Sequence, residues 1–411
     1  MTTSSQNPKI RTNLEIRSES YEGKDILILT CPYGISPEPL ALLSIAESIL
    51  SSFDGTRTED EIYLQFVPHG VSKEVIDELL SLLKKNFFLE NEEYFQKEKE
   101  LKAEYFKKPT RESSHEGFIF EKSKPLLEKQ IDEFLSVNTD KQSKDPSKLL
   151  CLVSPHIDYK RGGTCYGKAY SMLKGANHDL YVLIGTSHKY SPHLFHLTKK
   201  HFENPLGTLS CNETLVESLA SSYGFERSFA DEFLHKSEHS LELQIPFMLR
   251  TLSNPSMIPI LIGGFYHLLR SKILPQQFEP YESFVSGMIE SLKSWREQGK
   301  TFCFIAGVDM AHVGKQFGDV ESLSQDKMEE VRRRDAIYMD AILKRDKLLL
   351  WNHIAEDYDA RRMCGFPTMY LILDLLERLG VATTGELFSY DQSVSYENEC
   401  AVSFAGLGLY G

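Results

Sequence analysis

The apolar residues of this chain change rhythm at Leu149. From there on, continuous apolar runs of strand length alternate with segments of helical period. The runs are "LLCLVS", "DLYVLIG", "HLFHLT", "MIPILIG", "TFCFIAG" and "ECAVSFAGLGL". Between them lie "CYGKAYSMLKGA", "NETLVESLASSYG", "HSLELQIPFMLRTL", "YESFVSGMIESLKSWREQ" and a long helix over 324–345. Strands that are apolar at every position are buried on both faces, and helical crossovers join parallel strands. The pattern therefore predicts an α/β fold with a mostly parallel sheet covered by helices on both faces.

Before Leu149 the pattern is different. "DILILT" reads as a strand, and "LALLSIAESILSSFDG" as a helix closed by Gly55. In "TRTEDEIYLQFV", Thr58 caps a second helix, with Glu61 three residues on as its capping-box partner. "SKEVIDELLSLLKKNFFLEN" reads as a third helix running into a wing-like strand. The order predicts a small winged-helix-like domain over residues 1–95. Residues 96–114 are dense in charge and read as a solvated helix and linker. The second domain then covers 115–411. It opens with the periodic helix "KPLLEKQIDEFLSV", with Leu126, Leu127, Ile131 and Leu135 on one side, and with "NTDKQSKDPSK" as a loop.

Composition narrows the function. The chain has 411 residues, 41% hydrophobic and 26% charged, which is the profile of an ordinary globular protein. Its formal net charge of -13 speaks against nucleic acid as the main partner, because phosphate binding needs a basic footprint. No apolar stretch approaches membrane-spanning length, and the polar N-terminus lacks a signal-peptide core, so a cytoplasmic location with no membrane partner is expected. The seven cysteines are scattered and form no C-x-x-C pair, which excludes a zinc ribbon and a disulfide scaffold. Cys364, in "RRMCGF", follows basic residues, so a reactive thiol and a core thiol are both open readings.

Several strand ends carry chemistry. "LLCLVSPH" ends at His156, "DLYVLIGTSH" at His188, and "TFCFIAGVDMAH" at Asp309 and His312. In "HKSEHSLELQIPF", His239 stands at a helix start beside Glu238 and Glu242. In open α/β sheets, ligands sit outside the carboxyl ends of the strands. A lone loop histidine is usually only a polar loop residue. Convergence of several imidazoles points instead to a divalent metal.

These segments carry a resemblance. "SPHIDYKRGGTCYGKAY", "IGTSHKYS", "NPLGTLSCNETLVESL", "HKSEHSLELQIPFM", "VDMAHVG" and "CGFPTMYLIL" stand in the order of the Memo family, whose prokaryotic members are also called AmmeMemoRadiSam system protein B. "LFSYDQSVS" and "AVSFAGLGL" look like its closing segments, and the likeness spans about residues 115–411. The family is similar in fold to class III extradiol dioxygenases, which use non-haem iron. The resemblance implies metal ligation by His156 and His188. It gives His239 coordination or acid–base work. The animal protein's third ligand is a cysteine in a motif resembling D-F-C-H; here the motif is "DMAH", so Ala311 stands at that position. Loss of the thiolate speaks against copper chemistry and leaves ferrous iron as the first expectation, with zinc or copper as alternatives. The segment "FDGTRTEDEI" and the helix after it resemble the pyrroloquinoline-quinone D-like domains, which present leader peptides to radical enzymes. That likeness covers about residues 24–95.

Two classes of function follow. In one, His156, His188 and His239 hold a metal, His239, Asp309 and His312 serve catalysis, and a dioxygenase-like redox enzyme acts on a peptide or protein with a radical S-adenosylmethionine partner. In the other, the same fold is a non-catalytic peptide- or phosphopeptide-binding module. Other features have plainer expectations. Gly162, Gly163 and Gly167 lack the G-x-G-x-x-G spacing of a phosphate loop. Asp158 and Tyr159 are either pocket-lining or ordinary loop residues. His235 is a candidate partner of the metal histidines. His193, His196 and His201 are expected on the surface, and "KMEEVRRRDAIYMDAILKRD" as a solvated helix.

Overall fold

The computed structural model describes residues 7–137, apart from 22, 32, 33 and 37, and residues 144–411. The first part of the expected 138–148 loop therefore lies outside the described residues. The chain divides into two compact units, Met1–Lys108 and Pro109–Gly411.

The first unit has a three-stranded antiparallel sheet, Glu15–Tyr21, Lys24–Thr30 and Leu40–Leu43, in that order. "LALL" was expected to open a helix but pairs as a strand with the 24–30 segment, and the helix begins only at Ala46. Four helices follow, Ala46–Leu50, Glu59–Phe66, Lys73–Lys85 and Glu92–Lys107. Thr58 and Glu61 form the capping box in both directions. Ile76, Leu79, Leu80 and Leu83 of the third helix are buried with Leu27, Leu29, Phe53, Ile62 and Phe88 in a core of the unit's own. After that helix, the residues expected as a wing contribute an isolated bridge, Ile10 to Leu89, and then the 92–107 helix.

The second unit is α/β. Its sheet is mixed, with a parallel centre. Leu149–Ser154, Phe302–Gly307, Leu180–Thr186 and Ser256–Ile262 lie side by side and parallel. Every residue of the 180–186 and 302–307 strands is buried, as expected for strands covered on both faces. The flanks depart from the mostly parallel expectation. Thr384–Ser395 and Cys400–Tyr410 form an antiparallel hairpin whose second strand pairs with the 149–154 strand. The 384–395 strand is largely half-exposed, so it lacks the continuous apolar run that marked the central strands.

Two helical expectations are also corrected. The helix expected from Cys165 begins earlier, in what was read as a loop: it runs from Tyr159 to Ser171, with the Asp158 side chain capping it through Arg161 N. Its glycines serve close packing: a Cβ on Gly163 would strike the Phe134 ring, and one on Gly167 the Phe134 carbonyl. The Gln325–Lys344 helix is buried along one face, including Asp335, which accepts from the Tyr390 hydroxyl at 2.9 Å. His196 is fully buried, because its short strand Phe195–Leu197 pairs antiparallel with the 256–262 strand.

Candidate metal centre

Strand direction positions the site. The parallel strands 149–154, 180–186 and 302–307 end at one edge of the sheet, and the chain beyond them carries His156, His188, and Asp309 with His312. The fourth contributor is the short helix His239–Glu242, fixed over that edge by hydrogen bonds to the strand ends. Ser240 Oγ donates to Thr186 O at 2.8 Å, and Gln244 Nε2 to Pro155 O at 2.8 Å. Tyr159 donates to Leu243 O at 2.5 Å, which gives that residue a scaffold role. Gly307 permits the approach: a Cβ there would strike Ser240 O and lie 2.9 Å from Gln244 Nε2.

His156, His188 and His239 converge, each offering one ring nitrogen, with these nitrogens all within 4.8 Å of one another. The ring centroids are 4.6 Å apart for His188 and His239, 4.9 Å for His156 and His188, and 5.1 Å for His156 and His239. Outer partners fix two of the rings. His156 Nδ1 donates to Gly307 O at 2.9 Å, since a carbonyl only accepts. His188 Nδ1 donates to Glu238 Oε1, also at 2.9 Å. In the neutral form of each ring, Nε2 then keeps its lone pair. The same Glu238 oxygen lies 3.4 Å from His239 Nδ1.

The electrostatics suit a cation. Burial, then the neighbouring His188, pulls the His156 pKa down to about 3. Burial and His188 likewise hold His239 well below the usual imidazole range. These rings are therefore neutral near pH 7, the form that ligates. Burial pushes the Glu238 carboxyl up, but His188 and His239 outweigh it and keep it well below its usual range. A buried carboxylate beside imidazole ligands is the usual means of orienting them and offsetting the ion's charge. A donor set of neutral imidazoles backed by an ionised carboxylate thus fits a divalent metal.

The other expected residues fall close by. Asp309 is 2% exposed; its Oδ1 accepts from His156 N at 2.9 Å, and its Oδ2 lies 3.6 Å from His156 Nε2. Burial pushes its pKa up to about 6. His312 Nδ1 is 3.1 Å from both Met310 O and Arg362 O, so it is tied to backbone and stands outside the three-histidine group. Ala311 is fully buried in the main apolar core. His235 is buried and faces His196 O through Nε2 at 3.1 Å.

One feature escaped sequence reasoning. The segment after Pro109, counted as linker, pairs at Thr110–Arg111 with the His201–Asn204 strand. Arg111 is 1% exposed; it donates to His235 O at 2.7 Å and Glu238 O at 3.1 Å, and meets Glu242 at 2.5 Å. His115 Nδ1 lies 2.9 Å from Glu242, and its ring is 5.9 Å from that of His239. Nothing in the run "TRESSHEG" marks an arginine as buried. Cys364, for which a reactive and a core thiol were both open readings, has its Sγ 3.4 Å from His156 Nε2.

Three imidazoles at the carboxyl edge of a buried sheet define an α/β protein with a site that can hold a metal ion. The sequence comparisons narrow that class. The Memo-like protein family matches residues 111–408, and the chain belongs to that family. A MEMO1 family protein of Aquifex aeolicus is 28% identical over 407 residues, covering 98% of this chain and all of that one. One from Archaeoglobus fulgidus is 29% identical over 261 residues, covering 62% of this chain and 87% of its own. A third, from Methanosarcina barkeri, is 27% identical and covers 63% and 86%. Among the described residues, no helix is long and apolar enough to cross a membrane.

Proposed function

We propose that His156, His188 and His239 hold a divalent ion, iron before zinc or copper, and that the protein is a dioxygenase-like redox enzyme acting on a peptide or protein. The observation that carries this reading is the convergence of the three ring nitrogens, two of them oriented by Gly307 O and Glu238. Bound iron would supply one-electron and oxygen chemistry, and a donor set built on imidazoles suits it. The chain's own residues would do the rest. Glu238 orients His188 and offsets the ion's charge. Asp309, with Oδ1 on the His156 amide, is placed to hold or pass a proton through Oδ2. His239 and His188 are each about one-third exposed and form the side open to a substrate. The separate 1–108 unit supports a peptide substrate delivered together with a radical S-adenosylmethionine partner, and the Aquifex aeolicus relative spans both units.

A second reading, a peptide-binding module without turnover, is favoured by Ala311, which removes one donor. Oxygen uptake separates the two. The full chain, loaded anaerobically with ferrous iron, should consume oxygen when reductant is present, and His188→Ala should abolish the uptake. Uptake no faster than that of free iron would defeat the redox reading and leave the binding module.

A further inference from the structure

Among the described residues, His239 is the one of the three clustered rings that makes no hydrogen bond. Its Nδ1 stands 3.4 Å from Glu238 Oε1, and that oxygen already accepts from His188 Nδ1 at 2.9 Å and from Ser240 N at 3.1 Å. The His239 side chain is one-third exposed, and the torsion that turns an imidazole is broad and roughly two-fold, so ring contacts must set its angle. It stacks on His188 with centroids 4.6 Å apart and meets His156 edge to face at 5.1 Å. One further ring lies against it, that of His115, at 5.9 Å with the two planes 65° apart. This is the edge-to-face arrangement that aromatic pairs favour. We propose that His115 is a positioning residue that sets the His239 ring for the ion through this contact, an inference that rests on the metal site proposed above.

His115 can act as a fixed wall because its own ring is held. Its Nδ1 donates to Glu242 Oε2 at 2.9 Å, and its amide donates to Glu242 Oε1 at 2.9 Å. Glu242 closes the short helix that His239 opens, and Arg111 meets it at 2.5 Å. Arg111 also donates to Glu238 O, the carbonyl just before His239, and Ser114 Oγ donates to Lys236 O at 2.5 Å. The 111–115 segment thus grips the chain on both sides of His239 and lays a ring against it. The turn beyond is closed as well, since Phe118 N and Ile119 N both donate to His115 O, at 3.2 and 3.0 Å. His115 stands outside the three-histidine group, so what it supplies is orientation and not coordination. Its side chain is 23% exposed and adds little to the apolar core, so its loss should be felt at the ion before it is felt in folding.

The test uses the full-length protein, stripped of metal and titrated with Zn²⁺ against a competing chelator. His115→Asn keeps a donor for Glu242 but removes the ring, so zinc affinity should fall by about three- to tenfold, the worth of one aromatic contact. His115→Phe keeps a ring without the imidazole nitrogens and should restore affinity to within about twofold of the unmutated protein. In a His239→Ala background, His115→Asn should cause no further loss, because the ring it acts on is gone. Unchanged affinity in His115→Asn would overturn the proposal and leave the histidine site standing. So would an equal loss in His115→Phe, or a loss of the same size in the His239→Ala background. Failure of the unmutated protein to bind zinc would overturn the proposal and the metal site together. If His115→Asn does not fold, His115→Leu, which fills the space without a flat ring, takes its place in the same cycle and is read by the same outcomes.

Discussion

Replacing Glu242 by glutamine tests how the second unit holds its site. Glu242 is 2% exposed; it meets Arg111 at 2.5 Å and accepts from Ser114 N at 2.8 Å and His115 N at 2.9 Å. It thereby clamps the 110–116 segment beside the helix that bears His239. Breaking a buried ion pair by removing one partner costs about 3–5 kcal/mol, because the other charge stays behind unpaired. Proton linkage gives an independent figure. Burial pushes the Glu242 carboxyl up, but Arg111 and His115 outweigh it and hold it at about 2. Against an unfolded value near 4.3–4.5, that depression is worth on the order of 3 kcal/mol at neutral pH. A unit of about 300 residues unfolds with an entropy of ~0.6 kcal/mol/K, so Glu242→Gln should lower its Tm by about 5 °C at pH 7. The sign of the pH effect is fixed. A carboxyl with a depressed pKa stabilises fully above its unfolded value, and the contribution is lost as pH falls through the folded value. About 2 of the ~3 kcal/mol should be gone by pH 3, so the Tm difference should narrow there to about 2 °C. Differential scanning calorimetry of both proteins between pH 7 and 3 measures this. A Tm difference under about 1 °C at pH 7, or a constant difference over the range, would refute the reasoning. Arg111→Met with Glu242→Gln should be more stable than Arg111→Met alone, since the double variant leaves no lone buried carboxylate.

Glu238→Gln should weaken metal binding by about 10–100-fold in a competition titration with a chelator, because His188 loses its charged outer partner; unchanged affinity would mean that Glu238 does not orient the ligands. Gly307→Ala should cost about 1–3 kcal/mol in urea unfolding, since its Cβ must push back Ser240 O and Gln244. A neutral result would show that the 239–251 segment is not pressed against that strand. The 109–411 fragment, with its own core, should fold and bind metal without residues 1–108, as read by circular dichroism and metal content; a molten fragment would show that the two units share stability.

The central strands and the strand-end histidines were legible because burial on both faces writes a continuous apolar run, and such a run ends where the loop begins. The 384–395 strand was less legible because its half-exposed residues follow no such run. The first turn of the 159–171 helix looked like a loop because the reason for its Gly163 lies across the chain, in the Phe134 ring. Arg111 looked like linker because the acid that accounts for its burial is Glu242, 131 positions later. His196 was assigned to the surface because one polar residue in a short strand gives no sign of which neighbour covers it. The histidine cluster needed only the direction of the strands.

The central claim is that three imidazoles bind one ion. The direct measurement is metal content by mass spectrometry on full-length protein purified without chelator and then dialysed against ferrous iron or zinc. About one divalent ion per chain is predicted, falling to background in a variant with His156, His188 and His239 all changed to alanine. An unmutated protein that stays empty, or a triple variant that keeps its ion, would contradict the claim.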